Sequence, residues 1–589
     1  MFTPGSVLLQ DSLQEGANNL LFTAPWRILE AHDAAGVRAA LTELEAALAQ
    51  GSWAAGYLAY EAGYAFEERL APRLPEPGPL PLVWLGIYDT PQRLDADAVG
   101  ELLAASVTGP ARVRDIVPGL TPEVYGAIFE QVKAYIAAGD TYQVNLTLRA
   151  QFQLEGDPIA LYRALLQRQQ VAHGALIDTG RHHILSHSPE LFVSSQAGRL
   201  DARPMKGTMA RGQTAETDAA NRATLAADPK NRAENLMIVD LLRNDLGRVA
   251  EMGSVEVTDL YTVETYQTLH TLTSGITARR RADVGVAELL EKLFPCGSIT
   301  GAPKLRAMEI IADLETDPRG VYTGSIGSFA PNGDLKLNVA IRTAVIDRSG
   351  AGTIGIGGGI VADSTAEDEY REALLKMAFF TPQPEPVTLI ETLAWTPEAG
   401  YVLRQRHLDR LLASAAFFGL AHEPDAINAL LDAQAFDAPM RVRLTLDASG
   451  PQLTAVPLPP NPAVFRFMLA EDTLQSDSIW LAHKTTNRAF YDGPRQAAHA
   501  AHGVDEVLFR NERGELTEGS ITNLFIERDG RLLTPPLASG LLPGTLRAEL
   551  IASGRAVEQV LHLADLETAD AIWLGNSVRG LLPAQWIRP

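Results

Sequence analysis

The chain has 589 residues, of which 46% are hydrophobic and 21% charged, a composition typical of ordinary globular proteins. This length is too great for one hydrophobic core, so two or more domains are expected. The net charge of -22 argues against nucleic acid or an anionic membrane as the main binding partner, although local arginines could still bind a small anion.

The N-terminal segment lacks the basic start and long apolar run of a signal peptide. No window holds roughly 18 uninterrupted apolar residues, so no transmembrane helix is predicted. A single cysteine, Cys296, excludes an intramolecular disulfide framework and is typical of a reducing compartment. These features predict a cytoplasmic protein.

Helical and strand-like segments alternate along the chain, which predicts a mixed α/β (α+β) fold. Residues 228–248 are predicted to form a helix because their apolar positions recur at helical spacing. Strands are predicted at 335–347 and 352–360, and another helix at 366–380.

Proline-rich stretches mark two boundaries. Three prolines within residues 381–386 predict an extended linker between a domain of residues 1–380 and one of residues 387–589. A second such stretch, 457–462, is predicted to join two subdomains of the C-terminal domain. No repeat of fixed period is present, which argues against a solenoid or a propeller.

Acidic residues share faces of the predicted helices. Glu369 and Glu372 lie three residues apart, Lys376 follows four after Glu372, and Glu234 falls early in the other helix. A solvated helix face is the simplest interpretation of such a pair, and a site for a hard cation is the alternative, since Mg²⁺ prefers carboxylate oxygens.

Two further segments of this half are rich in small residues. The loop 295–304 could bring backbone N–H groups onto an anion. Residues 355–360 resemble a dinucleotide fingerprint but lack its final glycine, so close backbone approach to another ligand is predicted instead. Arg342, predicted within a strand, would need a carboxylate partner if buried.

These motifs, taken in order, resemble the chorismate-utilising enzymes, which include anthranilate synthase, aminodeoxychorismate synthase and the isochorismate and salicylate synthases. The resemblance covers about residues 115–380 and implies packed β-sheets with surrounding helices. The blocks that carry it are Gly139–Asn145, Ser188–Glu190, Pro204–Thr208, Arg232–Asp245, Gly297–Lys304, Tyr322–Gly324 and Gly357–Ser364.

The resemblance implies a role for individual residues toward chorismate and a bound Mg²⁺. The implied metal ligands are Glu234, Glu369 and Glu372. The implied substrate-binding residues are Gln143, Tyr322, Arg342, Gly358 and Lys376. The implied catalytic residues are Glu190, Lys206, His270 and Thr300. Among these, His270 and Thr300 would lie near the C4 oxygen, and Glu190 would protonate the departing C4 hydroxyl, a poor leaving group otherwise. Asn231 stands where some relatives carry a further acid, so no contribution is expected from it.

Two positions indicate the reaction type. Isochorismate-forming relatives carry a water-activating lysine where this chain has Gln143, so hydrolytic attack at C2 is disfavoured. Anthranilate synthases carry alanine where this chain has Lys206, as aminodeoxychorismate synthases do. The implied route is attack of the Lys206 amine on C2 with loss of the C4 hydroxyl, after which ammonia adds at C4 and expels the lysine.

A source of ammonia is also implied. A glutaminase needs a thiolate nucleophile with a histidine partner, and the only cysteine, Cys296, adjoins the 297–304 loop. We therefore expect a separate glutamine amidotransferase subunit, with direct use of free ammonia as the alternative. Some relatives bind tryptophan in the N-terminal region, and the sequence leaves this open.

A second set of motifs follows in the C-terminal domain: Lys484 before a Thr-Thr-Asn-Arg run, Glu515–Phe525, and Leu542–Arg547 at the start of a predicted helix. A helix N-terminus is a natural phosphate site. With His407–Leu411 upstream, the set resembles the fold-type IV pyridoxal-phosphate enzymes, which include branched-chain and D-amino-acid aminotransferases and aminodeoxychorismate lyase. It implies a fold of two subdomains.

This resemblance implies that Lys484 binds pyridoxal 5'-phosphate covalently and later moves the proton. Glu518 would keep the pyridine nitrogen protonated, which makes the ring an electron sink. The implied phosphate ligands are Arg410, Thr545, Leu546 and Ser577. Arg441, Arg443 and Arg488 are candidates for binding the substrate carboxylates.

The two resemblances together imply a bifunctional enzyme that makes 4-aminobenzoate from chorismate. Fold alone leaves transaminase and lyase open; the fusion and the run after Lys484 favour the lyase. The alternatives are an anthranilate-type synthase joined to an amino-acid aminotransferase, and a non-catalytic scaffold that recruits an amidotransferase. Fold-type IV relatives are commonly dimers, so a homodimer through the C-terminal domain is possible.

Overall fold

The computed structural model describes residues 2–13, 16, 19–212, 215–265, 269–377, 379–380, 387–418, 420 and 423–588. The chain divides into two compact units, one made of Met1–Gly212 with Glu216–Pro382 and the other mainly of Gln383–Pro589. The predicted linker, 381–386, lies outside the described residues. Within the described ranges, no helix combines the length and the apolar character needed to cross a bilayer.

The first unit alternates helices with many short strands. Its helices are α1 (Ala34–Ala49), α2 (Ala96–Ser106), α3 (Pro122–Ala137), α4 (Pro158–Arg168), α5 (Ala215–Ala227), α6 (Pro229–Gly247), α7 (Val286–Leu293), α8 (Lys304–Leu314) and α9 (Ala366–Leu375). Its strands are β1 (Val7–Gln10), β2 (Asn19–Phe22), β3 (Arg27–Ala31), β4 (Trp53–Leu58), β5 (Val83–Tyr88), β6 (Gln92–Leu94), β7 (Ala111–Pro118), β8 (Gln143–Gly156), β9 (His173–Asp178), β10 (His182–Ser188), β11 (Leu191–Gln196), β12 (Arg199–Arg203), β13 (Met205–Ala210), β14 (Glu256–Thr265), β15 (Leu269–Arg279), β16 (Gly301–Ala302), β17 (Ser325–Phe329), β18 (Leu335–Asn338), β19 (Thr343–Asp347) and β20 (Ala351–Ile360).

The described strands of this unit form two antiparallel sheets of ten strands each. The first has the order β16-β8-β20-β19-β10-β9-β1-β2-β6 with β7 beside β8, and the second β13-β15-β12-β11-β18-β17-β4-β5-β3 with β14 beside β15. Phe22 and Ile177 of the first sheet share a buried cluster with Tyr57 and Trp84 of the second. The two sheets therefore pack against each other, and a larger apolar cluster attaches the helices.

The segment 335–347 was predicted as one strand, and this prediction is wrong. β18 belongs to the second sheet and β19 to the first, so the chain crosses between the sheets over residues 339–342. Arg342 lies in this crossing rather than in a strand, with φ of 51°, a left-handed conformation that interrupts extended backbone. An apolar run that continues through a crossing gives no sign of the break.

The two predicted helices of this unit exist, but one is shorter than expected. α6 begins behind Asp228, whose carboxylate accepts a hydrogen bond from the backbone N–H of Asn231 at 2.9 Å. α9 ends at Leu375 instead of Phe380. Lys376 caps its C-terminus, and the ammonium group of this lysine donates to the carbonyl of Gly357 on β20 at 2.9 Å.

The second unit begins with strand β21. Its helices are α10 (Arg404–Phe418), α11 (Pro424–Asp432), α12 (Ile479–Ala482), α13 (Ala489–His502), α14 (Thr545–Ala552) and α15 (Leu563–Glu567). Its strands are β21 (Leu389–Thr396), β22 (Gly400–Tyr401), β23 (Met440–Asp447), β24 (Gly450–Pro457), β25 (Phe465–Leu474), β26 (Glu506–Asn511), β27 (Leu516–Gly519), β28 (Asn523–Arg528), β29 (Arg531–Thr534), β30 (Ala556–Glu558), β31 (Ala571–Asn576) and β32 (Gly580–Trp586).

These strands make two sheets, as a fold of two subdomains requires. A four-stranded sheet, β22-β21-β23-β24, shares an apolar core with α10 and α11. An eight-stranded mixed sheet has the order β27-β26-β25-β32-β31-β28-β29-β30, and a further pair, Glu518 with Asn523, joins β27 to β28 and closes six strands into a ring. The proline-rich stretch 457–462 connects the two sheets. The predicted mixed α/β fold class is confirmed in both units.

Candidate active sites

Lys206 lies where three elements of the first unit converge. It is carried by β13, and its Nζ lies 3.5 Å from Oε2 of Glu234 on α6. The third element is β20, which presents the glycine run Gly357–Gly359 here. A Cβ atom placed on Gly359 would lie 2.5 Å from Nζ of Lys206 and 3.0 Å from Cδ of Gln143. Bare backbone at Gly359 thus leaves room for both side chains.

Gln143, at the start of β8, is buried, and neither its amide nitrogen nor its amide oxygen has a hydrogen-bond partner among the described residues. Leaving a buried amide unpaired costs about 1–3 kcal/mol. A side chain that can both donate and accept, placed beside Lys206 and unsatisfied by protein, is suited to binding a polar ligand.

Glu190 is buried beside Lys206 and accepts a hydrogen bond from the hydroxyl of Ser298 at 2.7 Å. Burial raises the pKa of Glu190 to about 7, although the Ser298 hydroxyl and the Lys206 charge act in the opposite direction. Ser298 belongs to the short turn Gly297–Ile299, within the small-residue loop predicted to form part of the site. Glu190 can therefore hold a proton near neutral pH, as a general acid must.

The other two predicted metal carboxylates, Glu369 and Glu372, also lie within the influence of the Lys206 charge. Glu369 accepts from the Ser364 hydroxyl at 2.6 Å, and Glu372 pairs with Nζ of Lys376 at 2.8 Å. Burial and the neighbouring charge of Glu372 raise the pKa of Glu369. Burial would also raise the pKa of Glu372, but Lys376 outweighs it and lowers that pKa.

This donor set suits Mg²⁺ in chemistry, because all three predicted ligands are carboxylates. In the described part of the chain, however, no three His, Cys, Asp or Glu side chains are grouped closely enough to hold a metal ion. Glu234 forms an ion pair with Lys206 and Glu372 forms one with Lys376 instead. Holding Mg²⁺ would require Lys206 and Lys376 to release these carboxylates.

Two other predicted residues, His270 and Thr300, are engaged with protein groups. His270 bonds to Oδ1 of Asp218 through Nε2 and to the Thr265 hydroxyl through Nδ1, both at 2.9 Å. The buried Thr300 hydroxyl donates to the carbonyl of Gly297 at 3.1 Å. Asp218 was not anticipated, because it precedes His270 by 52 residues and belongs to none of the motifs.

Tyr322 packs against β20, and Arg342 directly precedes β19 of the same sheet. Tyr322 is buried against Gly355, where a Cβ atom would lie 2.1 Å from its ring, and it borders a cavity of about 20 Å³ with Arg149 and Arg319. The carbonyl of Arg342 accepts from the backbone N–H of His187 at 3.0 Å. Their roles toward a substrate remain predictions.

In the second unit, one cavity of about 560 Å³ contains most of the predicted site residues. Lys484, Glu518, Arg410, Thr545 and Ser577 all line it. Leu546 does not, because it lies in the first turn of α14 with its side chain directed toward Gly575. Only its backbone N–H could serve a ligand there.

Lys484 follows α12 in a loop held to the four-stranded sheet, since its carbonyl accepts from the backbone N–H of Ile390 at 2.9 Å. Burial lowers the pKa of Lys484 to about 8, helped by the nearby charges of Arg410 and Arg488. A considerable fraction of this amine is therefore neutral at mildly alkaline pH, which a nucleophilic amine requires.

A polar network around Arg410 and His407 connects distant segments that line the cavity. Arg410 makes two bonds to Glu391, from Nε at 2.8 Å and from Nη2 at 2.6 Å, and a third to the carbonyl of Pro543 at 2.9 Å. His407 bonds through Nδ1 to Glu391 at 2.6 Å, and through Nε2 to the hydroxyls of Ser577 at 2.9 Å and Thr545 at 3.2 Å.

Glu391 and His407 thus hold three predicted phosphate ligands together, yet neither was assigned a role from the sequence. Burial would raise the pKa of Glu391, but Arg410 and His407 outweigh it and lower that pKa to about 2. His407 lies one helical turn before Arg410, a spacing that could have indicated a shared face. Glu391 carries no comparable signal.

Glu518 also lines the cavity and lies where the ring of strands closes. Its Oε1 accepts from the Tyr491 hydroxyl at 2.8 Å and from the backbone N–H of Leu542 at 2.7 Å, and Asn523 donates to Oε2 at 2.9 Å. Burial raises its pKa to about 7 against the effect of these bonds. A cationic ring nitrogen nearby would satisfy this carboxylate.

The lining fits pyridoxal phosphate. It offers an amine for the aldehyde, a buried carboxylate for the ring nitrogen and, around His407, hydroxyl, guanidinium and helix N-terminal groups for a phosphate. Of the three arginines predicted to bind substrate, Arg488 is bonded to Asp492 at 3.1 Å and to the carbonyl of Ser520. Arg441 and Arg443 line the cavity.

Comparison with known proteins agrees with this division. The chorismate binding enzyme family matches residues 9–382, and the class IV amino-transferase family matches residues 388–587. Since the first match covers well over half of its length, the chain belongs to the chorismate binding enzyme family. The predicted combination of a chorismate-utilising domain with a class IV domain is confirmed.

Individual proteins are similar to the first unit. Aminodeoxychorismate synthase component 1 from Klebsiella aerogenes is 42% identical over 294 residues, 49% of this chain and 64% of that protein. Aminodeoxychorismate synthase from Streptomyces griseus is 44% identical over 272 residues, 46% of this chain and 37% of that protein. The chain thus spans less than two thirds of the length of these relatives. The crystal structure of anthranilate synthase component I from Streptococcus pneumoniae TIGR4 is 26% identical, with a TM-score of 0.53 over 61% of this chain and 91% of that one.

Proposed function

We propose that the chain converts chorismate to 4-aminobenzoate in two steps, amination to 4-amino-4-deoxychorismate in the first unit and elimination of pyruvate in the second. The observation that carries the proposal is the position of Lys206, which meets the unsatisfied Gln143 at Gly359 and whose charge acts on the proton-holding Glu190. The similarity of the first unit to aminodeoxychorismate synthases supports it.

In the first step, the amine of Lys206 attacks C2 of chorismate while the C4 hydroxyl leaves. Glu190 supplies the proton that turns this hydroxyl into water, and its raised pKa keeps that proton available. Ammonia then adds at C4 and the bond from C2 to Lys206 breaks, which restores the lysine. Gln143 would bind the substrate, and His270 and Thr300 would lie near the C4 oxygen.

Glu234, Glu369 and Glu372 would hold Mg²⁺, which supplies positive charge for the ring carboxylate when bound. Lys206, released from Glu234, would become free for the attack. Tyr322, Arg342 and the backbone of Gly358 would bind the enolpyruvyl carboxylate, with Lys376 close by. These assignments follow the family resemblance.

In the second step, Lys484 would hold pyridoxal phosphate, and Arg410, Thr545, Leu546 and Ser577 its phosphate. When bound, the cofactor supplies an electron sink next to the substrate nitrogen. Lys484, once free, would accept the proton from C4 of the substrate. The carboxylate of Glu518 would stabilise the positive charge on the ring nitrogen of the cofactor. The bond between the ring and the enolpyruvyl oxygen breaks, pyruvate leaves and the ring becomes aromatic.

The proposal includes a partner and a compartment. A separate glutamine amidotransferase would deliver ammonia, because the single cysteine, Cys296, is buried and burial raises its pKa to about 12, which suits no thiolate nucleophile. A single buried cysteine is also typical of the cytoplasm, where we place the protein. A homodimer through the second unit completes the proposal.

Product analysis of the purified full chain tests the function. With chorismate, an ammonium salt and pyridoxal phosphate, 4-aminobenzoate and pyruvate should form in equal amounts. Without added cofactor, and after its removal by dialysis against hydroxylamine, 4-amino-4-deoxychorismate should accumulate. Anthranilate as the product would contradict the proposal and support the anthranilate-type alternative. No turnover, and no retained cofactor, would support the scaffold.

A further inference from the structure

One wall of the Lys484 cavity is formed by the four-stranded sheet. Arg441 and Arg443 on β23 project from the same face, because residues two apart on a strand point the same way. Thr392 on β21 and Thr454 on β24 pair with Arg443 from either side. Both arginines and both threonines line the cavity that contains Lys484 and Glu518.

The intervening residues explain why the arginines face the cavity. Val442 and Leu444 are fully buried, and Leu444 belongs to the apolar core that attaches α10 and α11. A shift of register by one residue would bury both guanidinium groups in that core at a large cost. The packing of β23 therefore fixes the side from which Arg441 and Arg443 project.

Arg441 and Arg443 differ from Arg410 and Arg488, which also line the cavity, and they share one face of one strand, unlike Arg495 on α13 and Arg579 after β31. Arg410 is bonded to Glu391 and Arg488 to Asp492. Neither Arg441 nor Arg443 forms an ion pair with any acidic side chain that the structure describes. A guanidinium group presents a planar fork of N–H donors that matches a carboxylate, so two unpaired ones are available to a ligand.

We infer that Arg441 and Arg443 make the Lys484 site selective for a ring-bearing substrate with two carboxylates, one for each guanidinium group. The inference rests on the proposed function and names the substrate class of its second step. Alternate residues of a strand are about 6.8 Å apart, a separation that a ring carboxylate and an enolpyruvyl carboxylate can span. An amino acid with one carboxylate would leave one arginine without a partner.

Binding of two ligands that lack the amine needed to react with the cofactor tests this on the full chain loaded with pyridoxal phosphate. Chorismate has two carboxylates and a hydroxyl where the amine would be, and 4-hydroxybenzoate has one carboxylate. Each is titrated in ammonium-free buffer, and occupancy of the cavity is measured as protection of the cofactor absorbance against hydroxylamine. This signal comes from the Lys484 site alone, so binding of chorismate at Lys206 does not disturb it.

Chorismate should protect at a concentration at least tenfold below that of 4-hydroxybenzoate. Arg441→Gln and Arg443→Gln should each raise the chorismate concentration required by about tenfold or more, with cofactor content unchanged. Arg531→Gln, which removes an exposed arginine on β29 outside the cavity, is the matched control and should change nothing. Equal protection by both ligands, or unchanged protection in the two variants, would overturn the inference.

The outcomes separate this inference from the proposed function. If 4-aminobenzoate forms but the site does not prefer two carboxylates, only the inference fails. If the preference holds but no 4-aminobenzoate forms, the proposed function fails and the selectivity stands.

Discussion

At the level of single residues, Lys206 lies beside carboxylates, whereas Lys484 lies among arginines. The ammonium group of Lys206 is 3.5 Å from Glu234, and its charge also acts on the proton-holding Glu190. Lys484 is buried near Arg410 and Arg488, which lowers its pKa to about 8. The first environment holds the amine in place and the second favours its neutral form.

Replacing Lys206 by alanine should abolish formation of 4-amino-4-deoxychorismate, because no amine then attacks C2. Any amination that remains should occur at C2 and give anthranilate. Chromatography of the products from chorismate and ammonia measures both. Lys292→Ala, on α7, is the control and should keep the normal product. Unchanged product from Lys206→Ala would rule out the covalent route.

Titration of Glu190 should make the pH–rate profile of the first step fall on its alkaline side, referred to below as the alkaline limb. Its pKa is raised to about 7, so the protonated acid is present below this pH and is lost as the pH rises through it. The rate of amination should therefore fall above about pH 7. Ser298→Ala removes a hydrogen bond that favours the charged form, so this variant should move the limb to higher pH.

The pH dependence of kcat for chorismate consumption, measured with saturating ammonia, checks this prediction. A limb at the same pH in the wild type and in Ser298→Ala would mean that Glu190 is not the group that titrates.

The sequence indicated both lysines, Glu190 and Glu518, because each stands in a local motif. It did not indicate Glu391, which acts through Arg410 and His407, or Asp218, which bonds to His270. These residues matter through partners 16 to 52 positions away. Contacts of that kind depend on tertiary packing, which no local pattern records.

At the level of elements, a buried ion pair fastens three segments around the first site. Arg319 is bonded to Glu315 at 2.7 Å and donates to the carbonyls of Ile299 at 2.8 Å and Asn145 at 2.6 Å. Glu315 also accepts from the backbone N–H of Thr147 at 2.9 Å. The pair thereby joins the loop that contains Thr300 to the strand that begins at Gln143.

Glu315→Gln should destabilise the first unit by about 3–5 kcal/mol, because it leaves the buried guanidinium of Arg319 without a counter-charge. Denaturation by urea, followed by intrinsic fluorescence, measures the loss. Glu367→Gln breaks an ion pair with Arg371 at the surface and should change stability little. Equal effects of the two substitutions would show that the buried pair has no special part in holding the loop.

Elements were predicted well where they are capped or isolated, and poorly where the chain changes sheets. α6 has an N-cap at Asp228 and a proline at its first position, and both signals are local. The break between β18 and β19 is set by which sheet accepts each strand, so the continuous apolar run around it was misleading.

At the level of the whole molecule, two units with their own cores each match a different family. The change in motif content along the sequence was enough to predict both. The two proposed reactions are consecutive, because the product proposed for the first unit is the substrate proposed for the second.

Lys484→Ala should accumulate 4-amino-4-deoxychorismate, and mixing this variant with Lys206→Ala should restore 4-aminobenzoate after a lag. Each variant keeps the step that the other lacks, and the intermediate is a small molecule able to pass through solution. Fluorescence of 4-aminobenzoate follows the time course, with each variant alone as the control. A mixture that stays inactive although each half-reaction persists would contradict release of the intermediate.

A side chain added at Gly359 should affect folding and catalysis differently. A methyl group there meets chiefly the tips of Lys206 and Gln143, flexible groups that can swing aside at little cost to stability. The protein would remain folded with its nucleophile pushed away from the ring. In a mutant library selected for growth without supplied 4-aminobenzoate, this position should thus lose every substitution, while a screen for expression alone should retain many of them.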